Sequence, residues 1–198
     1  MVYPISKYVF WPFIRLFVKD IRGLENLPRP PCILVCNHES YMDGFLLMML
    51  IARHTNKKLF MFATNEKFLW FPWNILFNHY GAIRIDHSLE KGLATLSQRN
   101  YLAIFPEAGR TPTGKIQPVK HKGLGILALL SRAPIVPIGI NTYDFWNKHH
   151  YFPTFKKTIK ITIGKPRMFK AKLTDKNAWN IVKTVMNEVN ALARISHT

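Results

Sequence analysis

His38 and Asp43 stand five positions apart in Asn37-His38-Glu39-Ser40-Tyr41-Met42-Asp43, placing an imidazole and a carboxylate in one short segment. An imidazole takes a proton from a hydroxyl near neutral pH. A carboxylate beside it holds the tautomer and stabilises the imidazolium that forms. The same spacing serves an ordinary turn or helix cap, so the pair alone leaves both readings open. A second segment, Phe105-Pro106-Glu107-Ala108-Gly109-Arg110-Thr111-Pro112-Thr113-Gly114, presents an acid, a glycine and an arginine together. A guanidinium beside a glycine-opened backbone suits a phosphate monoester, because Arg offers a bidentate fork and Gly permits close approach. A polar turn with a solvated arginine fits that segment too.

Elements must bring these groups together. Each segment follows a short apolar run, residues 32–36 and 101–105, that reads as a buried strand, and residues 44–52 read as a helix. The ends of strands are where α/β proteins gather their chemistry. Further strands are expected at 58–63, 81–86, 134–140 and 157–164, the last with clean alternation. Helices are expected at 88–99, capped by Ser88, at 123–131, and after Thr174 or Asp175, where Trp179, Ile181, Val182, Val185, Met186, Val189 and Leu192 form a stripe. Residues 66–77 read as an aromatic-dense helix bent or split at Pro72, part of it meeting lipid tails or an acyl chain. With no repeat or linker, the fold expected is one α/β domain, a mixed, largely parallel sheet flanked by helices.

Together the two segments resemble the glycerolipid acyltransferases, specifically the 1-acylglycerol-3-phosphate type. The family's first block, Asn-His-x4-Asp, is matched by Asn37, His38 and Asp43. Its Phe-Pro-Glu-Gly-Thr/Ser-Arg-Ser block is similar to residues 105–111, and its Pro-flanked strand to Ala133-Pro134-Ile135-Val136-Pro137-Ile138. Lys122-Gly123 before an apolar helix also fits. In the remaining block, Gly81-Ala82-Ile83-Arg84-Ile85-Asp86-His87, His87 stands where the family has an arginine, and Arg84 points to the other side of an alternating strand. Blocks in this order cover roughly residues 20–165, a far more specific signal than any one of them.

The resemblance implies single-step transfer. His38 is the general base toward the hydroxyl of a lysophospholipid, and Asp43 orients it. Glu107, Gly109, Arg110 and Thr111 lie about the acceptor phosphate, with Arg84 and Lys122 as further binding candidates. The thioester, acyl-coenzyme A or acyl carrier protein, is a co-substrate, and no cofactor or metal is required. Another lysophospholipid or glycerol 3-phosphate is the alternative acceptor. A non-enzymatic basic module binding RNA or anionic membrane is the distant alternative, which leaves the His38–Asp43 pair without a purpose.

The 198 residues carry a formal charge of +17, which calls for a polyanionic partner. Between Lys148 and Lys172 there are eight Lys/Arg, two histidines and no acid, interleaved with Tyr151, Phe152, Phe155 and Phe169. That pattern serves nucleic acid or anionic lipid alike. If Pro12 opens a helix, Arg15, Lys19 and Arg22 share one face, and Phe13, Ile14, Phe17, Val18 and Ile21 the other. Residues 1–22 are then an amphipathic segment lying in a membrane interface ahead of a domain at 23–198, too short to span a bilayer and without a signal-cleavage pattern. A peripheral or monotopic protein at the cytoplasmic face follows. Packing of that helix on the core is the competing reading. Cys32 and Cys36, about 13 Å apart in extended chain, read as buried thiols. The histidines lack metal-ligand spacing.

Overall fold

Cys32-Ile33-Leu34-Val35-Cys36 forms the middle strand of a seven-stranded sheet, and all five residues are buried. Its uninterrupted apolar run follows from its position, because both faces of a central parallel strand are covered. Cys32, Leu34 and Cys36 enter the core on one face and Ile33 and Val35 the core on the other. The computed structural model describes residues 3–63 and 79–197. The expected aromatic helix at 66–77 falls outside them, as residues 64–78 are not described.

In chain order the strands are β1 Val18–Arg22, β2 Cys32–Cys36, β3 Leu59–Ala63, β4 Ala82–Arg84, β5 Tyr101–Ile104, β6 Ile135–Asn141 and β7 Ile159–Ile163. They lie in the order β1-β7-β6-β2-β5-β3-β4. Every pairing is parallel except β6 with β7, so the expected mixed, largely parallel sheet is what forms. The helices among the described residues are α1 Trp11–Arg15, α2 Asp43–Thr55, α3 Ser88–Ser97, α4 Gly123–Ser131, α5 Tyr143–Trp146 and α6 Asp175–His197. Alternation along β7 is as expected, with Ile159, Ile161 and Ile163 buried and Lys160 and Thr162 half-buried. Thr174 caps α6 by accepting the Asn177 N–H at 3.2 Å. This helix sits close on β6 and α4, since a Cβ on Gly139 or Gly125 would overlap the backbone of Ala193 or Ala178. The expected cap at Ser88 does not form. His87 holds the N-cap position in the left-handed region, φ 53°, with no side-chain capping bond.

The amino-terminal expectation needs correcting. After a π-helical turn over Ser6–Phe10, α1 stops at Arg15, whose Nη1 donates to Val18 O at 2.7 Å. Residues 18–22 are not the continuation of a helix but strand β1, running parallel to β7, and so part of the sheet. Ile14 and Val18 are core residues, as is Trp11. The 13, 14, 17, 18, 21 spacing satisfies a helix locally, but β7 supplies a ladder of backbone partners that local periodicity does not register. Apart from Arg15, what stays outside ahead of β1 is apolar. Ile5, Tyr8, Val9, Phe10, Phe13 and Leu16 are exposed. No described helix is long and apolar enough to cross a membrane.

Candidate active site

Where β2 ends, Asn37 locks the departing chain to β6. Its Oδ1 accepts the Ile140 N–H and its Nδ2 donates to Ile140 O, both at 2.8 Å. His38 follows, then a turn that delivers Asp43 to the first residue of α2. A carboxylate there is favoured by the free N–H groups and dipole of a helix N-terminus. Asp43 is fully buried, and its Oδ2 accepts the backbone N–H of Glu39 at 2.6 Å and of Ser40 at 2.8 Å. The Nδ1 of His38 is 2.8 Å from the same oxygen. Thr142, beyond β6, donates its hydroxyl to Asp43 Oδ1. A carboxylate surrounded by donors leaves one role for the His38 nitrogen facing it: Nδ1–H donates, and Nε2 keeps its lone pair. The imidazole is 23% exposed and lies against Phe105, ring centroids 4.6 Å apart.

The 105–111 segment clamps the backbone of His38 from both sides. His38 N–H donates to Glu107 Oε1 at 2.8 Å, and Thr111 N–H donates to His38 O at 2.8 Å. The other oxygen of Glu107 accepts the Gln117 N–H at 2.7 Å. Glu107 thus braces two loops, where a place about the acceptor phosphate was expected. Burial raises its carboxyl above the ordinary glutamate value, partly offset by those two N–H bonds. Thr111 is likewise turned inward, its hydroxyl donating to Lys115 O at 2.6 Å.

Arg110 is different. Its guanidinium carbon lies 3.7 Å from the centre of the Tyr41 ring, and its buried Nε has no partner. Among the described residues no carboxylate pairs with it, so its fork is available to an anion. Gly109 opens the space beside it, since a Cβ there would meet nothing within 4 Å. Ala108 occupies the left-handed region at φ 56°, where the family block has glycine. Of the remaining candidates, Arg84 is exposed at the end of β4, with β3 and β5 between it and β2. Lys122 is ion-paired with Asp175.

Three supporting residues were not legible as such. Thr142 and the carboxylate of Glu39 hold the turn after β6 against the His38 loop, Glu39 Oε2 accepting the N–H of Thr142 at 2.9 Å and of Tyr143 at 3.0 Å. The Tyr41 ring lies under the Arg110 guanidinium and also meets Trp146, ring centroids 5.2 Å apart and tilted by 38°. The available signal for Thr142 was a hydroxyl placed directly after a strand of the resembling blocks.

Cys36 lies two residues before His38 but is fully buried, and burial together with the Asp43 charge holds its thiol well above the ordinary value. Burial pushes Cys32 up to about 12. Both are free thiols. A thiol so protonated is a poor nucleophile. Iodoacetamide at pH 8 should therefore leave turnover unchanged and label neither cysteine until the protein is unfolded. Inactivation matched to Cys36 labelling would restore a cysteine acyl-enzyme.

A histidine with a fixed tautomer, its backbone bonded to the segment that carries an unpaired guanidinium, at the mouth of an α/β sheet, is equipped to activate an alcohol near an anion. The chain belongs to the acyltransferase family, whose model matches residues 19–141. It is 34% identical to the 1-acyl-sn-glycerol-3-phosphate acyltransferase of Cocos nucifera, over 59% of this chain and 40% of that one. It is 26% identical to the enzyme of that name in Pseudomonas aeruginosa, over 90% of this chain and 73% of that one. Against the human beta enzyme of that name the identity is 25%, over 79% and 58% respectively. The chain thus spans from 40% to 73% of the length of these relatives. A solved structure, the 1-acyl-sn-glycerophosphate (LPA) acyltransferase PlsC from Thermotoga maritima, has the same fold, with a TM-score of 0.77 and 23% identity. The superposition covers 98% of this chain and 78% of that one.

Proposed function

We propose that the protein transfers an acyl group from a thioester to the sn-2 hydroxyl of 1-acylglycerol 3-phosphate, giving phosphatidate for phospholipid synthesis. The observation that carries this reading is an Asp43-held His38 whose backbone is bonded to the segment that presents the unpaired guanidinium of Arg110. The shared name of the relatives supports the choice of acceptor.

In the reaction, His38 Nε2 takes the proton of the acceptor hydroxyl as its oxygen attacks the thioester carbonyl. The C–O bond forms, the C–S bond breaks, and the imidazolium returns the proton to the departing thiolate. Asp43 offsets the positive charge that appears on the ring between those two moments. An alcohol already delivered to an activated ester needs no covalent enzyme intermediate. Arg110, whose guanidinium lies over the Tyr41 ring, binds the acceptor phosphate through its planar fork. The exposed apolar residues before β1 and the net positive charge support attachment as a peripheral or monotopic protein to an anionic membrane at its cytoplasmic face. The acceptor resides there.

Purified protein in detergent, given palmitoyl-coenzyme A and either 1-acylglycerol 3-phosphate or monoacylglycerol, tests the acceptor directly. The phosphate-bearing acceptor should be used with a kcat/KM about 100-fold higher, as expected for a charge-assisted contact of roughly 1.5–3 kcal/mol. Equal use of the two, or no phosphatidate from folded protein, would overturn the assignment.

A further inference from the structure

On the face of the sheet away from α2, a cavity of about 1030 Å³ lies between α6 and residues 113–119. Ile116 and Val119 supply apolar surface from one side, and Trp179 and Met186 from the other. Its edge is cationic. Lys115, Lys183 and Arg194 line it, all three exposed, and none is ion-paired among the described residues. The one acid of the lining is Glu39, whose buried carboxylate is spent on the Thr142 and Tyr143 N–H groups. A concave, partly apolar trough rimmed by unpaired cations selects a long anionic ligand of mixed polarity.

The cavity also adjoins the catalytic loop. Glu39 is the residue after His38, and Gln117, on the lining, shares Glu107 with the His38 backbone. Its position relative to the apolar residues before β1 is equally informative. Trp11 and Ile14 pack into the core on the α2 side, whereas Val182 and Met186 of the cavity wall belong to the core on the other. The apolar residues before β1 and the cationic cavity thus lie on opposite sides of the sheet.

We propose that this cavity holds the phosphate-bearing arm of an acyl-coenzyme A, with its thioester directed past Glu39 to His38. The inference rests on the acyl-transfer reading above. A small-molecule arm is the occupant because the volume matches a small-ligand cleft, whereas a carrier protein needs a face of about 800 Å².

The test is a kinetic split in Lys183→Glu/Arg194→Glu, with Lys115→Glu on the opposite wall as a second, independent variant. KM for palmitoyl-coenzyme A should rise about tenfold or more in each, while KM for 1-acylglycerol 3-phosphate stays within twofold. Turnover of palmitoyl-N-acetylcysteamine, a thioester without phosphates, should not change. An unmoved donor KM, or equal loss with the phosphate-free thioester, would overturn the proposal. So would a rise confined to a carrier-protein thioester. If the parent makes no phosphatidate, calorimetric titration with coenzyme A itself separates the two failures. Binding to the parent that is lost in the charge-reversed variants keeps the cavity assignment and rejects only the acceptor, and no binding to the parent rejects the cavity.

Discussion

His38→Ala is expected to lower kcat by about 10³- to 10⁴-fold with the protein still folded, the upper range for removing a positioned general base. The side chain is part-exposed, and the bonds that fix its loop run from its backbone to Glu107 and Thr111, so truncation beyond Cβ leaves the framework in place. Asp43→Asn should be milder, about 10²-fold in kcat, for a reason specific to this geometry. Three N–H groups converge on Oδ2, from Glu39, Ser40 and His38. They orient an introduced amide with its carbonyl toward them and its NH₂ toward the Thr142 hydroxyl, which also accepts. The His38 tautomer survives and only the charge is lost. A reversed amide would instead force the proton onto Nε2 and abolish base catalysis, so a loss as large as that of His38→Ala would show that the three donors do not control the orientation. Single-turnover rates of product formation, with circular dichroism of each variant, decide between the two.

The second large effect concerns the acceptor. Arg110→Ala should lower kcat/KM for 1-acylglycerol 3-phosphate by about 100-fold, equivalent to roughly 2.7 kcal/mol. The slow turnover with monoacylglycerol and the donor KM should move less than about threefold. Arg110→Lys keeps the charge but loses both the fork and the flat stack on Tyr41 and should recover about a tenth of the lost efficiency. Stability should change little in either case, because the guanidinium has no carboxylate partner among the described residues and gives up only its contact with the Tyr41 ring. Equal losses with the two acceptors would mean that Arg110 shapes the loop and does not touch phosphate.

Much of this site was legible because its parts lie at strand ends within short segments. The apolar run at 32–36 announces a buried strand, and the imidazole and carboxylate follow at once. The 101–111 segment repeats the pattern, and α4 was expected with the bounds it has. What the sequence hid is contact across long separations. Glu107 was expected about the acceptor phosphate from the block it belongs to, but two N–H donors from residues 69 positions before it and ten after it claim its oxygens. Thr142 carries no motif of its own and acquires its role only because β6 lies against β2. The strand at 18–22 was hidden for the same reason, its partner β7 being some 140 residues further along.

Those long separations have a consequence in time. His38 and Asp43 leave the ribosome almost together, but Asp43 meets the Thr142 hydroxyl only 99 residues later, and Asn37 its partner on β6 only 103 residues later. At about 5–20 residues per second, the nascent chain carries the His38–Asp43 pair without these two braces for roughly 5–20 s. Because β2 cannot be flanked on both sides before β6 is made, catalytic competence arrives late in synthesis and all at once.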